Sequence, residues 1–246
     1  MRGSSDHDLI VEAATDYVES WLDGDARRMA SCLHPALAKR AVVDHDSGQL
    51  DLDESPFENM VGPALEGGPK PYGRDIDIAV LDVAAGIATA KAVSEPFVDL
   101  LHLARFGDRW LIVNALYEER PAADTPGDAK VVQRAVDDYT SSWFDHDVER
   151  ARGAVHPSLV ERRVLDPASG ALDLDENTFE ELLKTVAEGP DEPLERAWDS
   201  RVLDVSGDVA SARVTAAWWD IDLHLARFGD RWLIVNILYR TRDEPT

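Results

Sequence analysis

Leu101 to Asn114 reads LHLARFGDRWLIVN, and Leu223 to Asn236 reads LHLARFGDRWLIVN again. Each copy is an apolar run, a Gly-Asp turn and a second apolar run, the pattern of a β-hairpin. Leu223 stands 122 positions after Leu101. Held at that offset, the rest of the chain aligns without a gap. Tyr17 falls on Tyr139, Trp21 on Trp143, Asp25 on Asp147, His34-Pro35 on His156-Pro157 and Phe57 on Phe179. A fixed ungapped register of this length marks an internal duplication. It predicts a first domain over 5–120, a linker over 121–127 and a second domain over 128–242. The junction, Arg120 to Ala129 (RPAADTPGDA), has the Pro, Gly, Ala and Asp content of a linker.

Composition bounds what such a chain can do. Of 246 residues, 44% are hydrophobic, enough to build a core in each half. Acidic residues outnumber basic ones 48 to 25, a formal charge of −23. A surface that acidic repels phosphate backbones and anionic lipid, which argues against nucleic acid and membrane partners. No run of about 18 apolar residues is present to span a bilayer. The N-terminal MRGSSDHD has no apolar segment of the secretory type, so a cytoplasmic location is the expectation. Cys32 is the one cysteine, which excludes an intrachain disulfide and cysteine-built metal centres.

Within the first half, Leu9, Ala13, Tyr17 and Trp21 recur every four residues and form one face of a helix that Gly24 ends. A second helix is expected from Ala26 to Leu33, stopping before Pro35. Ala38–Asp44 and Gln49–Leu52 flank Asp46-Ser47-Gly48 as a hairpin. Ser55-Pro56-Phe57-Glu58 has the form of a capped helix start, with Asn177 and Glu180 keeping that logic in the second half. A Gly/Pro-rich break at Gly67 to Pro71 precedes three strands over 75–83, 87–106 and 109–118. The order predicts an α+β fold: two tandem cone-shaped domains, each a curved antiparallel sheet covered by about three helices.

A helix with Tyr-x-x-x-Trp, then Gly-Asp, His-Pro and the closing Leu-His-Leu…Gly-Asp-Arg-Trp-x-Ile-Val-Asn hairpin resembles the nuclear transport factor 2-like superfamily, and within it the SnoaL-like and putative lumazine-binding proteins. The likeness covers both halves. It implies a pocket between the helices and the concave sheet face, and dimers packed through their sheets, here supplied as an intrachain pseudo-dimer with further homo-oligomers open. The superfamily hosts isomerases, dehydratases, cyclases and non-catalytic binding modules, so the fold leaves the function to be argued from the site.

Strand parity sorts the candidates. With the turn at Gly107-Asp108, simple alternation puts Asp99, Leu101, Leu103, Trp110, Ile112 and Asn114 on one face, taken as the pocket face. Asp99 is an acid among apolar residues, where burial raises a carboxyl toward neutrality and suits proton transfer. Tyr17 could donate to a developing oxyanion and His34 could move protons; each also has a plain structural reading, in packing or in capping a helix. Ligand contacts are expected from Trp21, Asn114, Tyr139, Trp143, His156 and Asn236, and from Trp198, Trp218 and Trp219, which have no tryptophan counterpart in the first half. Ile221 stands where Asp99 would be in the second half. Asp220, Asp222 and His224 share one strand face and are the weak metal candidates, since ligands at i, i+2 and i+4 are spread along the strand. The leading expectation is a cofactor-independent isomerase, dehydratase or cyclase acting on a small aromatic or polyketide-like metabolite. The alternatives are a non-catalytic ligand-binding or scaffold module, and a metal-dependent enzyme using the Asp-x-Asp-x-His strand.

Overall fold

The computed structural model describes residues 5–62, 68–84, 86–120, 129–166, 168–189 and 195–242. The linker read at 121–127 lies outside the described residues. The first half runs α1 (Asp6–Asp23), α2 (Ala26–Cys32), β1 (Leu33–Val42), β2 (Leu52–Pro56), α3 (Phe57–Val61), β3 (Asp77–Ala84), β4 (Ile87–Val93), β5 (Phe97–Phe106) and β6 (Arg109–Glu119). The second repeats this as α4 (Ala129–Asp145), α5 (Val148–Ala154), β7 (Val155–Val164), β8 (Leu174–Thr178), α6 (Phe179–Glu188), β9 (Trp198–Ser206), β10 (Val209–Ala216), β11 (Trp219–Phe228) and β12 (Arg231–Thr241). Each half is α+β, with one six-stranded sheet, in the orders β2-β1-β6-β5-β4-β3 and β8-β7-β12-β11-β10-β9. The sheets are mixed, because β1 runs parallel to β6 and β7 parallel to β12. The compact units are Met1–Val43 with Leu52–Ala123 and Asp166–Asp173, and Asp44–Asp51 with Asp124–Leu165 and Leu174–Thr246.

Local chemistry explains most element ends. Ser5 caps α1 through a capping box with Asp8, and Gly24 closes it at φ 71°, a left-handed conformation that glycine adopts without strain. In the first unit the apolar face of α1 (Ile10, Ala13, Ala14, Tyr17, Val18) packs on Leu101, Leu103, Trp110, Ile112 and Ala115 of the sheet. The second unit repeats this with Val132, Val136 and Tyr139 of α4 against Leu223, Leu225, Trp232, Ile234 and Ile237. No described helix is long and apolar enough to cross a membrane.

Three sequence readings change. The expected strand over 87–106 is two strands, because Ser94-Glu95-Pro96 turns the chain and Ser94 N–H donates to the Phe97 carbonyl at 2.9 Å. The helix cap sits one residue later than Ser55 and Asn177. Pro56 is the N-cap of α3, with no side-chain cap. Thr178 caps α6 in a box with Glu181, which frees Asn177 for another task.

The third change concerns the face of β6. Leu103 pairs with Ile112 but His102 pairs with Asn114, so Val113 is an extra residue, a β-bulge. Val235 bulges likewise in β12. Each bulge shifts the alternation by one residue. Asn114 therefore leaves the Asp99 face and meets His102 instead, Nδ2 to Nδ1 at 3.3 Å. Asn236 meets His224 at the same distance. Ala115 and Tyr117 take the places that simple alternation gives to Asn114 and Leu116. Neither asparagine shares the face of Asp99 or of its counterpart Ile221.

Candidate functional site

In the first unit, Tyr17, Lys39 and Asp99 come together from α1, β1 and β5. The Tyr17 hydroxyl donates to Asp99 Oδ1 at 2.8 Å, and the Lys39 ammonium donates to the Tyr17 hydroxyl at 2.6 Å. Lys39 Nζ stands 3.7 Å from Asp99 Oδ1. All three side chains are buried. Burial pushes the Asp99 carboxyl above its ordinary range, against the pull of Lys39. Burial likewise pulls the Lys39 amine down, against the pull of Asp99. The Tyr17 phenol is held well above 10.0 by burial and by the Asp99 charge, so it keeps its proton and acts as a donor. Lys39 Nζ also lies 4.3 Å from the centre of the Tyr117 ring and 5.1 Å from that of Tyr17, a cation held between two aromatic faces. Phe97 meets Tyr117 edge-on, and Trp21 packs on both Phe97 and Tyr72. The cluster is internally neutralised: the acid, its counterion and the bridging phenol all belong to the protein.

The second unit keeps both tyrosines and changes the charges. At the 122-residue offset, Lys39 becomes Glu161, Asp99 becomes Ile221, Tyr17 becomes Tyr139 and Tyr117 becomes Tyr239. A cavity of about 130 Å³ opens here, lined by Tyr139, Thr140, Trp143, Phe144, Glu161, Thr185, Val214, Ala216, Trp219, Ile221 and Tyr239. Glu161 brings the one carboxylate among these lining residues. Tyr139 Oη lies 3.5 Å from Glu161 Oε1, at the outer limit of a hydrogen bond. The Asn177 amide donates to Glu161 Oε2 at 3.1 Å. Burial pushes the Glu161 carboxyl up to about 7, and the donors Asn177 and Tyr139 restrain it. The Tyr139 phenol is held well above 10.0 by burial and by Glu161. Burial and Glu161 also raise Tyr239. The cavity thus presents a carboxyl poised between its two protonation states, beside a phenol that remains a donor.

The remaining sequence candidates divide. Trp143 and Trp219 line the cavity and approach each other at 6.0 Å. Trp198 stacks on the lining residue Phe144 at 5.0 Å and so supports the wall from behind. Trp218 sits at the β10–β11 turn, outside the lining set, where its carbonyl accepts from the Arg242 N–H.

His34 does not join Tyr17 and Asp99. Because β1 begins at Leu33, which points into the core, His34 points to the opposite face. It stacks on Phe106 at 4.9 Å, its Nδ1 accepts from the Ala36 N–H at 3.0 Å, and its Nε2 faces the Leu172 carbonyl at 3.3 Å. His156 repeats the arrangement with Phe228, Ser158 and Leu50. Both rings are structural pieces of the His-Pro strand start.

The strand Asp220-x-Asp222-x-His224 does not assemble a ligand set. Arg213 grips both Asp222 oxygens, at 2.6 and 2.9 Å, in a pair buried on both sides. Arg242 holds Asp220 at 2.9 and 2.8 Å. His224 faces Asn236, and burial lowers its imidazole to about 3, which keeps it neutral. The two carboxylates serve as arginine counterions. Cys32 is buried and its thiol is raised to about 12, so it behaves as a small core residue.

Lys39 and Glu161 escape a sequence search for paired acids and histidines. Their signal is the alignment of the two halves, which sets a lysine against a glutamate at one offset position.

Comparison with protein families finds the same two-copy layout. The family model described as putative lumazine-binding matches residues 5–118 and again 127–240. Similar solved structures include an NTF2-like protein of unknown function from Silicibacter pomeroyi, 19% identical, covering 46% of this chain and 94% of that one at TM-score 0.40. An NTF2-like protein of unknown function from Methylobacillus flagellatus is 20% identical, covering 48% and 97% at TM-score 0.38. A ketosteroid isomerase-like protein from Erwinia carotovora atroseptica is 15% identical, covering 47% and 96% at TM-score 0.36. Comparison with curated proteins gives no match.

Proposed function

Taking as premise that this chain belongs to the putative lumazine-binding family, in two tandem copies, we propose that its second unit is the working copy: a small-molecule site in which Glu161 moves a proton. The observation that carries this reading is the cavity itself, about 130 Å³, with the Glu161 carboxyl at its wall. A carboxyl at about 7 is matched to taking and returning protons near neutral pH. Tyr139, protonated and beside it, supplies a hydrogen bond to an oxygen that gains charge during reaction. That pair supports isomerisation, dehydration or ring closure without a cofactor. Asp99, the base that sequence favours, is already bonded to Tyr17 and paired with Lys39, so the first unit serves a structural role in this scheme.

Size narrows the ligand. An engineered cavity of about 150 Å³ holds a benzene molecule. The second-unit cavity is slightly smaller and partly open, so it suits about one ring, with any further part of the ligand lying at its mouth. A second reading, a non-catalytic binding module, is favoured by the presence of a single ionisable acid among the lining residues.

The test is native mass spectrometry of the full chain after incubation with a metabolite extract, followed by incubation with the retained compound. The expected result is one retained molecule per chain, converted by the parent protein and retained unconverted by Glu161→Gln. Retention without conversion by the parent would leave the binding-module reading in place of the enzyme. Retention unaffected by Trp219→Ala and by Glu161→Lys would remove the site from this cavity.

A further inference from the structure

The first unit shows what the second unit lacks. In the first, an ammonium group sits between two tyrosine rings and bonds to the inner phenol: Lys39 Nζ is 2.6 Å from Tyr17 Oη and 4.3 Å from the centre of the Tyr117 ring. A carboxylate, Asp99, stands 3.7 Å away to balance it. In the second, the equivalent tyrosines Tyr139 and Tyr239 both line the cavity, a carboxylate is again present as Glu161, and the lining residues include no lysine or arginine. The acid now grows from the strand position that held the cation, and apolar Ile221 fills the old acid position. Two phenol rings, a buried carboxylate and open volume remain, and the protein supplies no cation among the groups lining it.

We infer that the second-unit cavity takes a compact organic ammonium ion, an amine on a single ring, whose charged nitrogen sits against Glu161 and the two tyrosines and plays the part that the Lys39 ammonium plays in the first unit. This rests on the reading of the cavity as a ligand site and holds with or without turnover. The nitrogen donates to Glu161 and to the Tyr139 oxygen, while Tyr239, Trp143 and Trp219 offer ring faces to the charge. The ring occupies the space between Phe144, Val214 and Ile221. Buried carboxylates need a partner, and here the ligand provides it. The charged groups around Glu161 do not substitute for one. Arg163, on the same strand, is paired with Asp175 of β8 at 2.7 Å, and Asn177 of β8, Tyr139 of α4 and Tyr239 of β12 are neutral.

Two probes of nearly equal shape separate charge from fit. The full chain is titrated by calorimetry with benzylamine and with benzyl alcohol at pH 8. Benzylammonium is expected to bind at least about tenfold more tightly, a difference of roughly 1.4 kcal/mol. Glu161→Gln, which keeps the size of the side chain, is expected to bring the two within about twofold of each other, because the charge partner alone is lost. The double variant Glu161→Lys/Ile221→Asp rebuilds the first unit's own set, which this fold already accommodates, and is expected to bind neither probe. Equal or tighter binding of benzyl alcohol to the parent overturns the cation inference and leaves the cavity reading standing. Binding of neither probe overturns both. Benzylammonium binding that survives in the double variant also overturns the inference, because the site then lies elsewhere.

Discussion

The two units answer one steric problem with opposite electrostatics. Both place a tyrosine of the long helix and a tyrosine of the last strand around one position of the first strand. The first unit puts Lys39 there and neutralises it with Asp99; the second puts Glu161 there and leaves a cavity. The first arrangement spends its polar groups on each other, with bonds of 2.6 and 2.8 Å. The second leaves Tyr139 and Glu161 loosely joined at 3.5 Å. Tight internal satisfaction builds a stable core, whereas incomplete satisfaction leaves groups available to a ligand.

The sharpest way to break this comparison is to move one residue across it. Lys39→Glu sets two acids against each other inside the first unit and is expected to cost about 5 kcal/mol, the upper end for an uncompensated buried charge. Lys39→Glu/Asp99→Ile copies the second unit and should recover most of that loss. Urea midpoints measure both, and recovery no larger than the error would end the claim that the two sets are interchangeable.

The next effect is a pH dependence. Glu161 titrates near 4.5 when unfolded and near 7 when folded, so the folded chain binds the extra proton between those values. Stability from this group is complete below about pH 4.5 and falls as pH rises to 7, by about 3 kcal/mol. Glu161→Gln should therefore match the parent at pH 4.5 and exceed it at pH 8 by a large part of that amount. A parent-to-variant difference that stays flat with pH would contradict the buried, raised carboxyl.

Tyrosine truncation gives a smaller contrast. Tyr17→Phe removes two short, charge-assisted hydrogen bonds and is expected to cost about 2–3 kcal/mol. Tyr139→Phe removes one long contact and should cost less than about 1 kcal/mol. Equal costs would show that the two phenols are held alike. Asn177→Ala is the mildest change. It removes a donor to the Glu161 carboxylate and should raise the Glu161 titration midpoint further, with little change in unfolding midpoint at pH 4.5, where the carboxyl is protonated; NMR of the carboxyl carbon reads it.

The duplication, the helix faces and the closing hairpin were open to sequence reasoning because each repeats a period or a string. Tyr17 and Asp99 could be picked out by spacing alone, since an acid on an apolar strand face stands out. Lys39 and Glu161 could not: each sits in a short segment whose direction depends on the strand beginning at Leu33 or Val155, directly after a helix. His34 and His156 pointed the wrong way for the same reason. Asn114 and Asn236 were misplaced because nothing in a continuous apolar run announces a bulge; the extra residue shows only when the partner strand is beside it. Asn177 was read as a helix cap because asparagine suits that position, but Thr178 takes it and releases the amide to Glu161.

The bulged valines act as phase shifters for everything downstream in their strands. Regular pairing through Val113, without the bulge, would turn the stretch from Asn114 to Glu119 over by half a pleat. Tyr117 would leave the lysine, and Leu116 would be driven in toward it. One small aliphatic residue, touching no ligand and carrying no charge, thus decides whether the last strand contributes an aromatic wall or a greasy one. In a deletion scan of this hairpin, Val113 would be the position whose loss straightens the strand and leaves the pairings from Asn114 to Glu119 in place.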